Sequence, residues 1–289
     1  MSSIFEGKQQ SEIPVRQVCT VLYDALPDLK GTALHAQLEA LVGPCTVEWA
    51  IIGPSEGVPA NAPSVLGGVA TFGLPDSDVE HRVAMVALGA AVRPDVLDVT
   101  VGVSPMPDEQ RQALLAHRAA IRLLYIGDAN DPIEQLTALY SVAGAALGLD
   151  GLGIINERAA LALPAEGAED LLQHLNDEIP PIQLWTGAIT FTVDRDADGD
   201  PTRYLLRTYG MDQCALPELG VHFRDMGLAD DTYHVLMNVC LYLVQHRHGV
   251  PLGVGDHVEF GGSTYLLTEL GSDDWDAASS TGLLLLVEV

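Results

Sequence analysis

The stretch with the strongest chemical signature is DRDADGDP at residues 194–201, which places aspartates at alternate positions around a glycine. This is the spacing of the first half of an EF-hand calcium loop, in which oxygens at positions one, three and five surround the ion. The candidate metal ligands are therefore Asp194, Asp196, Asp198 and Asp200.

The same stretch also has the composition of a hairpin turn. Position twelve of a calcium loop supplies a bidentate glutamate, but here that position is Leu205, inside a predicted strand. Asp-Gly is a strong signal for a tight hairpin turn, and Pro201 suits the residue after it. We therefore expect the tip of a hairpin, with weak Ca²⁺ binding at residues 194–200 as the alternative. No other cofactor is expected.

A second cluster of potential ligands follows a predicted helix and comprises His246, His248, Asp256, His257 and Glu259. Histidines two residues apart point to different faces of a helix, so the first two do not share an ion within a continuous helix. Positive character at a helix C-terminus is favourable, and this explains the pair without a metal. A metal-binding protein or metal-assisted hydrolase that uses this cluster or the aspartates is one alternative function.

The sequence carries no nucleophile or nucleotide signature. There is no GxSxG elbow, no P-loop and no HExxH motif. The four cysteines lie far apart, without a CxxC pair, which predicts buried reduced thiols. Whether the protein is an enzyme stays open at this point, and the missing motifs favour a non-catalytic role.

Charge is the strongest global property of the chain. Its 14 basic and 40 acidic residues give a formal net charge of −26. Nucleic acids and anionic membranes would be repelled by such a surface, whereas a basic protein partner would be attracted. The chain shows neither a secretory signal nor an apolar run of membrane-spanning length, so we expect a cytoplasmic protein.

Hydrophobic periodicity predicts an α+β fold with mixed, largely antiparallel sheets and helices packed on one face. Two diverged βα units are expected, with strands at residues 15–24 and 119–128 and helices at 32–43 and 131–148. Several strands follow one another without helices between them, which indicates antiparallel pairing. Exposed edge strands would also permit a homodimer.

Two successive prolines near residue 180 suggest a boundary between an N-terminal domain at 1–178 and a C-terminal α+β domain at 184–289. The second domain is predicted to contain a hairpin at 189–209 and a long helix at 231–248. Because domain interfaces often hold ligands, a small-molecule pocket near Trp185 is a further alternative.

The stretch RTYGMDQCALPELGV at residues 207–221 resembles a bacterial family catalogued as domain of unknown function four-two-six-one. The resemblance extends over residues 100–270, with further support from SPMP, HRAAIRLLYIG and GVGDHV. It implies a soluble bacterial α+β protein without an assigned reaction, so it supplies no catalytic residues.

The polar residues of this stretch that would form a binding site are Arg207, Tyr209 and Glu218, to which we add Trp185. The alternative is a structural corner, in which Gly210 supplies a positive φ and Pro217 a fixed bend. Taken together, the charge and the missing motifs favour a non-catalytic regulatory or toxin-neutralising protein whose acidic surface binds a basic partner.

Overall fold

The computed structural model describes residues 17–29, 32–52, 65–75, 77–177, 181–247, 252–260, 262–269 and 283–288. Within these ranges the chain forms six α-helices and thirteen strands in two largely antiparallel sheets, which confirms the predicted α+β class. No helix in the described ranges has both the length and the apolar character that a bilayer-spanning helix needs.

The first sheet has seven strands, and every neighbouring pair in it is antiparallel. Its strands are β1 (Val18–Tyr23), β2 (Cys45–Ile52), β3 (Val65–Gly73), β4 (Glu80–Leu88), β5 (Ala119–Tyr125), β6 (Gly153–Asn156) and β7 (Leu161–Pro164). They lie in the order β2-β3-β4-β5-β1-β6-β7, so β2 and β7 are the two edges.

The two predicted βα units lie side by side at the centre of this sheet. Strand β1 leads into α1 (Ala33–Val42), and β5, which pairs with β1, leads into the second long helix of this layer. That helix begins after Asp131, whose carboxylate accepts a hydrogen bond from the Ile133 amide at 2.9 Å. Its alanine-rich faces are almost entirely buried against the sheet and against α1.

Two short helices, α2 (Pro94–Val103) and α3 (Asp108–Leu115), cover the opposite face of the sheet. Their buried Leu97, Val101 and Leu114 form one hydrophobic cluster with Leu22 of β1, separate from the main core. The sequence did not predict these helices, because the β-branched residues of α2 weaken its helical signal. The helices therefore pack on both faces of the first sheet, whereas the expectation was one face.

The remaining helices of the first layer are α4 (Pro132–Leu147), the second helix of the βα pair, and α5 (Ala165–Leu172). Helix α5 packs against α4 and against the short strands β6 and β7. It leaves its acidic face exposed, including Glu166, Glu169 and Asp170.

The second sheet has six strands in the order β11-β12-β13-β10-β9-β8. Its strands are β8 (Gly187–Arg195), β9 (Pro201–Tyr209), β10 (Glu218–Phe223), β11 (His257–Phe260), β12 (Ser263–Glu269) and β13 (Leu283–Glu288). The pair β10–β13 is parallel and the other pairs are antiparallel. Helix α6 (Ala229–Arg247), the predicted long helix, packs on β9 and β10.

One hydrophobic cluster joins the two sheets. It includes Tyr23 of β1, Leu139 of α4, Leu219 of β10 and Leu243 of α6, all of which are almost inaccessible to solvent. Within the described residues the sheets therefore share a continuous core. The division into domains at 178–184 stays a prediction, because nothing tests whether either part folds by itself.

Candidate functional site

The aspartate-rich stretch forms the tip of the hairpin between β8 and β9, and we call residues 194–200 the acidic tip. Asp196 organises the turn: its Oδ1 accepts hydrogen bonds from the amides of Asp198 at 3.0 Å and Asp200 at 2.9 Å. Gly199 takes a φ of +89°, which a side chain would disfavour. The acidic tip therefore has its own network of hydrogen bonds that requires no ion.

Another carboxylate of the acidic tip has a partner within the hairpin. Asp194 Oδ2 lies 2.8 Å from Arg203 Nε across the strand pair. Across the described ranges, no three histidine, cysteine, aspartate or glutamate side chains converge in a geometry that would hold a metal. Calcium binding at Asp194, Asp196, Asp198 and Asp200 stays a prediction.

The histidine-rich cluster is spread over separate elements. His246 stacks on Tyr242 with ring centroids 4.6 Å apart, and its Nδ1 lies 3.0 Å from the Tyr242 carbonyl oxygen. His248 lies outside the described residues. His257 and Glu259 are exposed on β11, while Asp256 accepts a hydrogen bond from the Gly253 amide at 2.9 Å.

The stretch GMDQ, which we call the junction turn (residues 210–213), links β9 to β10 at the boundary between the sheets. Gly210 has a φ of +100°, as the sequence predicted for this glycine. An added Cβ at this position would lie 2.2 Å from the Trp185 carbonyl oxygen, closer than any side chain can come. Glycine is therefore required here both by its conformation and by its neighbour.

Gln213 connects the junction turn to three distant segments. Its Nε2 donates to the Trp185 carbonyl at 2.9 Å, and its Oε1 accepts from Asn156 Nδ2 at 3.2 Å. Its backbone carbonyl accepts from Gln17 Nε2 at 2.8 Å. Gln213, Asn156 and Gln17 are all buried, so these bonds replace hydration that the groups lose on folding.

Asn156 at the end of β6 is the second hub of this network. Its Nδ2 also donates to the Tyr140 hydroxyl at 3.0 Å, and that hydroxyl donates to the Leu184 carbonyl at 2.5 Å. Its Oδ1 accepts from the amides of Arg158 and Ala159. Arg158 in turn pairs with Asp212 of the junction turn. The first sheet is thus bonded to the second through polar groups as well as through the core.

Glu218, at the start of β10, is a buried carboxylate with 3% exposure. Its Oε1 accepts from the Gly210 amide at 2.8 Å, and its Oε2 accepts from the Thr208 hydroxyl at 2.7 Å. The same hydroxyl accepts from the Leu219 amide at 2.8 Å. Burial raises the pKa of the Glu218 carboxyl above its ordinary value, and the bonds from Thr208 and Gly210 oppose this shift.

Arg207 and Tyr209 lie on the opposite face of β9 from Thr208. The Arg207 guanidinium carbon is 4.7 Å from the centre of the Tyr209 ring, which is a cation–π contact. Arg207 is only 3% exposed, and its Nε has no hydrogen-bond partner in the described part of the chain. The structure therefore brings Arg207 together with Tyr209, while Glu218 bonds to groups on the other face.

Trp185 is completely buried between the two sheets, with its ring 5.8 Å from that of Tyr140. Its carbonyl, and not its indole, makes the contacts with Gln213 and Gly210. Ligand binding at Trp185, Arg207, Tyr209 and Glu218 stays a prediction, and the observed role of Trp185 and Glu218 is to hold the junction turn.

A cleft of about 690 Å³ lies beside this junction, and we call it the edge cleft. Strands β7 and β8 and the first turns of α6 form most of its walls. Its lining includes Leu161, Leu163, Ala188, Thr190, Asp230 and Tyr233. Trp185 does not line it, although the neighbouring residues Gln183 and Thr186 do.

Sequence reasoning missed a buried histidine in the first sheet. His81 of β4 has its Nδ1 3.1 Å from the Tyr125 hydroxyl and its Nε2 3.5 Å from Glu134 Oε1. Burial lowers the pKa of His81, and the Glu134 carboxylate opposes this effect. The Tyr125 hydroxyl also accepts a hydrogen bond from the Ala129 amide at 3.2 Å. His81 is fully buried and therefore has no contact with solvent.

No family model matches the chain. A search of curated proteins and a search of solved structures likewise give no significant match. The resemblance to the four-two-six-one family stays a prediction.

The steric requirement at the junction turn predicts the effect of Gly210→Ala. Both the positive φ and the overlap with the Trp185 carbonyl should destabilise the variant, by about 2–4 kcal/mol in urea unfolding. Gly199→Ala is the matched control, because Gly199 has a positive φ of +89° but no atom near its missing Cβ. It should cost about 1–2 kcal/mol. Equal losses in the two variants would show that the contact with Trp185 is unimportant.

The buried Glu218 predicts a pH-dependent contribution to stability. Since its pKa is raised above 4.5 in the folded state, the native protein binds this proton more tightly than the unfolded chain. The contribution of Glu218 to the free energy of unfolding is therefore complete below pH 4.5 and is lost as the pH rises through the folded-state pKa. Urea unfolding of the native protein and of Glu218→Gln should be compared as the pH rises from 4.5 through the folded-state pKa, and the native protein should lose free energy of unfolding relative to the variant. A difference in the free energy of unfolding that does not change with pH would contradict the raised pKa of Glu218.

The hydrogen bonds of the acidic tip predict that Asp196→Ala lowers the free energy of unfolding by about 1 kcal/mol. Asp198→Ala should have a smaller effect, because the Asp198 carboxylate makes no hydrogen bond with a described residue.

Thermal unfolding in a calcium series separates the two interpretations of this stretch. A calcium-dependent rise that both substitutions abolish would establish a metal site.

Proposed function

We propose that this protein is a non-catalytic binding protein whose acidic surface recognises a basic protein partner. The observation that carries the proposal is that many of the arginines already pair with carboxylates of the same chain. Seven described arginines lie within 4.0 Å of a carboxylate, namely Arg82, Arg93, Arg111, Arg118, Arg122, Arg158 and Arg203. Half of the 14 basic residues are thus already paired with a carboxylate within the chain.

Two further arginines are also engaged. Arg207 is buried against Tyr209, and Arg195 donates to the Gly199 carbonyl at 2.8 Å within the acidic tip. With 40 acidic residues against 14 basic ones, the internal ion pairs leave a large excess of carboxylates. A surface of this kind attracts a basic protein over distances comparable to the Debye length, about 8–10 Å at ordinary salt concentrations.

Three groups of exposed carboxylates in the described ranges bear on recognition. One is the acidic tip, and another is the face of α5 that carries Glu166, Glu169 and Asp170. The third lies at the start of α6, where Asp225, Asp230 and Asp231 are exposed. The exposed apolar side chains of Met226 and Leu228 lie next to this third group in the chain. Charge with adjacent apolar surface is the composition of a protein-binding surface.

The polar residues at the junction support a non-catalytic role. Glu218 and Arg207 are each 3% exposed, so a substrate has no direct access to either group. Glu218 bonds to Thr208 and Gly210, and Arg207 packs on Tyr209 of the same strand. The proposal therefore places recognition on the surface and assigns the buried polar groups to stability.

The proposal predicts a basic partner whose affinity depends on salt. The immobilised full-length chain would be exposed to an extract of the cells that make it, and retained proteins would be identified by mass spectrometry. The affinity of a retained basic protein should fall at least about tenfold between about 50 mM and about 500 mM salt. Replacement of Asp225, Asp230 and Asp231 by asparagine should weaken binding. Asparagine at position 225 keeps a side-chain oxygen that accepts from the Gly227 amide, so the unfolding midpoint should fall only slightly.

A matched variant distinguishes local recognition from net charge. Substitution of Asp24, Asp95 and Asp128 by asparagine changes the net charge equally but removes carboxylates that already pair with arginines. Its effect on binding should be smaller. Failure to retain any basic protein at low salt, or retention that salt does not weaken, would contradict the proposed function.

A further inference from the structure

The edge cleft lies between the last strands of the two sheets. Within the described residues β7 pairs with β6 alone and β8 pairs with β9 alone, so each has one edge without a strand partner. An unpaired edge presents backbone N–H and C=O groups to any extended segment that reaches it. Two unpaired strand edges line this cleft, so it offers backbone hydrogen-bonding groups that most surface pockets lack.

The two edges meet at one end of the cleft. An added Cβ at Gly187, the first residue of β8, would lie only 2.3 Å from the Ala159 carbonyl oxygen, just before β7 begins. From this contact β7 continues to Leu163 and β8 to Thr190, and the cleft occupies the space between them. Four residues of an extended chain span about 13 Å, which is the length of β7.

One backbone donor on the β7 side is already satisfied. The Ala162 amide donates to Ser104 Oγ at 2.8 Å, so the end of α2 covers this part of the β7 edge. No described side chain bonds to the backbone of residues 187–190 on β8. Strand addition is therefore favoured on β8, with β7 forming the opposite wall.

The lining of the cleft determines the kind of segment that fits. The larger apolar residues of the lining are Leu161, Leu163, Ile189 and Leu206, and alanines at positions 160, 162, 188 and 229 are small enough to leave room for a partner's side chains. The ionisable residues of the lining are Asp230, Tyr233 and His234, and no lysine or arginine is among the lining residues. Exposed Asp231 follows directly on α6.

We propose that the edge cleft binds an extended segment of the basic partner protein, which adds as a strand to β8. Alternate side chains of that segment would be apolar and enter the cleft, and the others would be basic and face the carboxylates at the start of α6. This inference rests on the proposed function, since the basic character of the partner comes from there. It identifies the surface on which recognition takes place.

The test uses a display library of random twelve-residue peptides, panned against the full-length chain. We expect enriched peptides to combine lysine or arginine with alternating apolar residues. Thr190→Arg places a positive charge and a large side chain in the cleft and should weaken the binding of these peptides at least about tenfold. Thr192→Arg is the control, because Thr192 is exposed on the same face of β8 and lies outside the lining.

A second measurement tests the strand-like mode of binding. The tightest peptide would be remade with prolines at alternate positions, which removes the amide donors needed for pairing with β8. This peptide should lose binding to the native chain. Equal unfolding midpoints for the native chain and both threonine variants would show that any loss of binding is not a loss of folding.

The possible outcomes separate this inference from the proposed function. Basic peptides that bind Thr190→Arg as well as the native chain would overturn the edge cleft but leave acidic recognition intact. If the cell-extract partner is retained equally by Thr190→Arg, the same conclusion follows for the whole protein. Enriched peptides without basic residues, or a dimer that Thr190→Arg converts to a monomer, would also overturn the inference.

Discussion

The contacts of Gln213 hold the two sheets in one fixed arrangement. A buried amide side chain is costly unless its donor and acceptor groups are bonded, and Gln213 satisfies them with Trp185 and Asn156. Its backbone carbonyl is bonded by Gln17, at the start of the first sheet. Relative movement of the sheets would break several of these bonds at once, so the network favours a single geometry for the edge cleft beside it.

Burial keeps the polar side chains of this network away from solvent. Glu218 bonds to Gly210 and Thr208, and its raised pKa is the result of enclosure. A raised carboxyl pKa can accompany catalysis, but here the group has 3% exposure, and its partners are Gly210 of the junction turn and Thr208 of the adjoining strand. We therefore propose the surface, where carboxylates outnumber bases, as the place of recognition.

The sequence predicted most of the regular elements because their signals are local. Asp131 and Pro132 mark the start of α4, and Asp-Gly at residues 198–199 marks a hairpin tip. The positive φ of Gly210 was also predicted, whereas the roles of Gln17 and Asn156 were not. Helix α2 was missed because residues such as Val96 and Val99 favour strands in isolation, and packing of Leu97 and Val101 under β1 overrides that preference.

The sequence by itself determined the α+β class, the acidic net charge, the helix caps and the turn residues, since each depends on composition or on residues close together in the chain. Tertiary structure decided which polar groups are buried and where two sheet edges meet. Gln17 and Gln213 are 196 residues apart, and Gly187 meets Ala159 across the boundary between the sheets. Such pairs leave no periodic signal in the sequence, because only the packing of both sheets on one core brings them together.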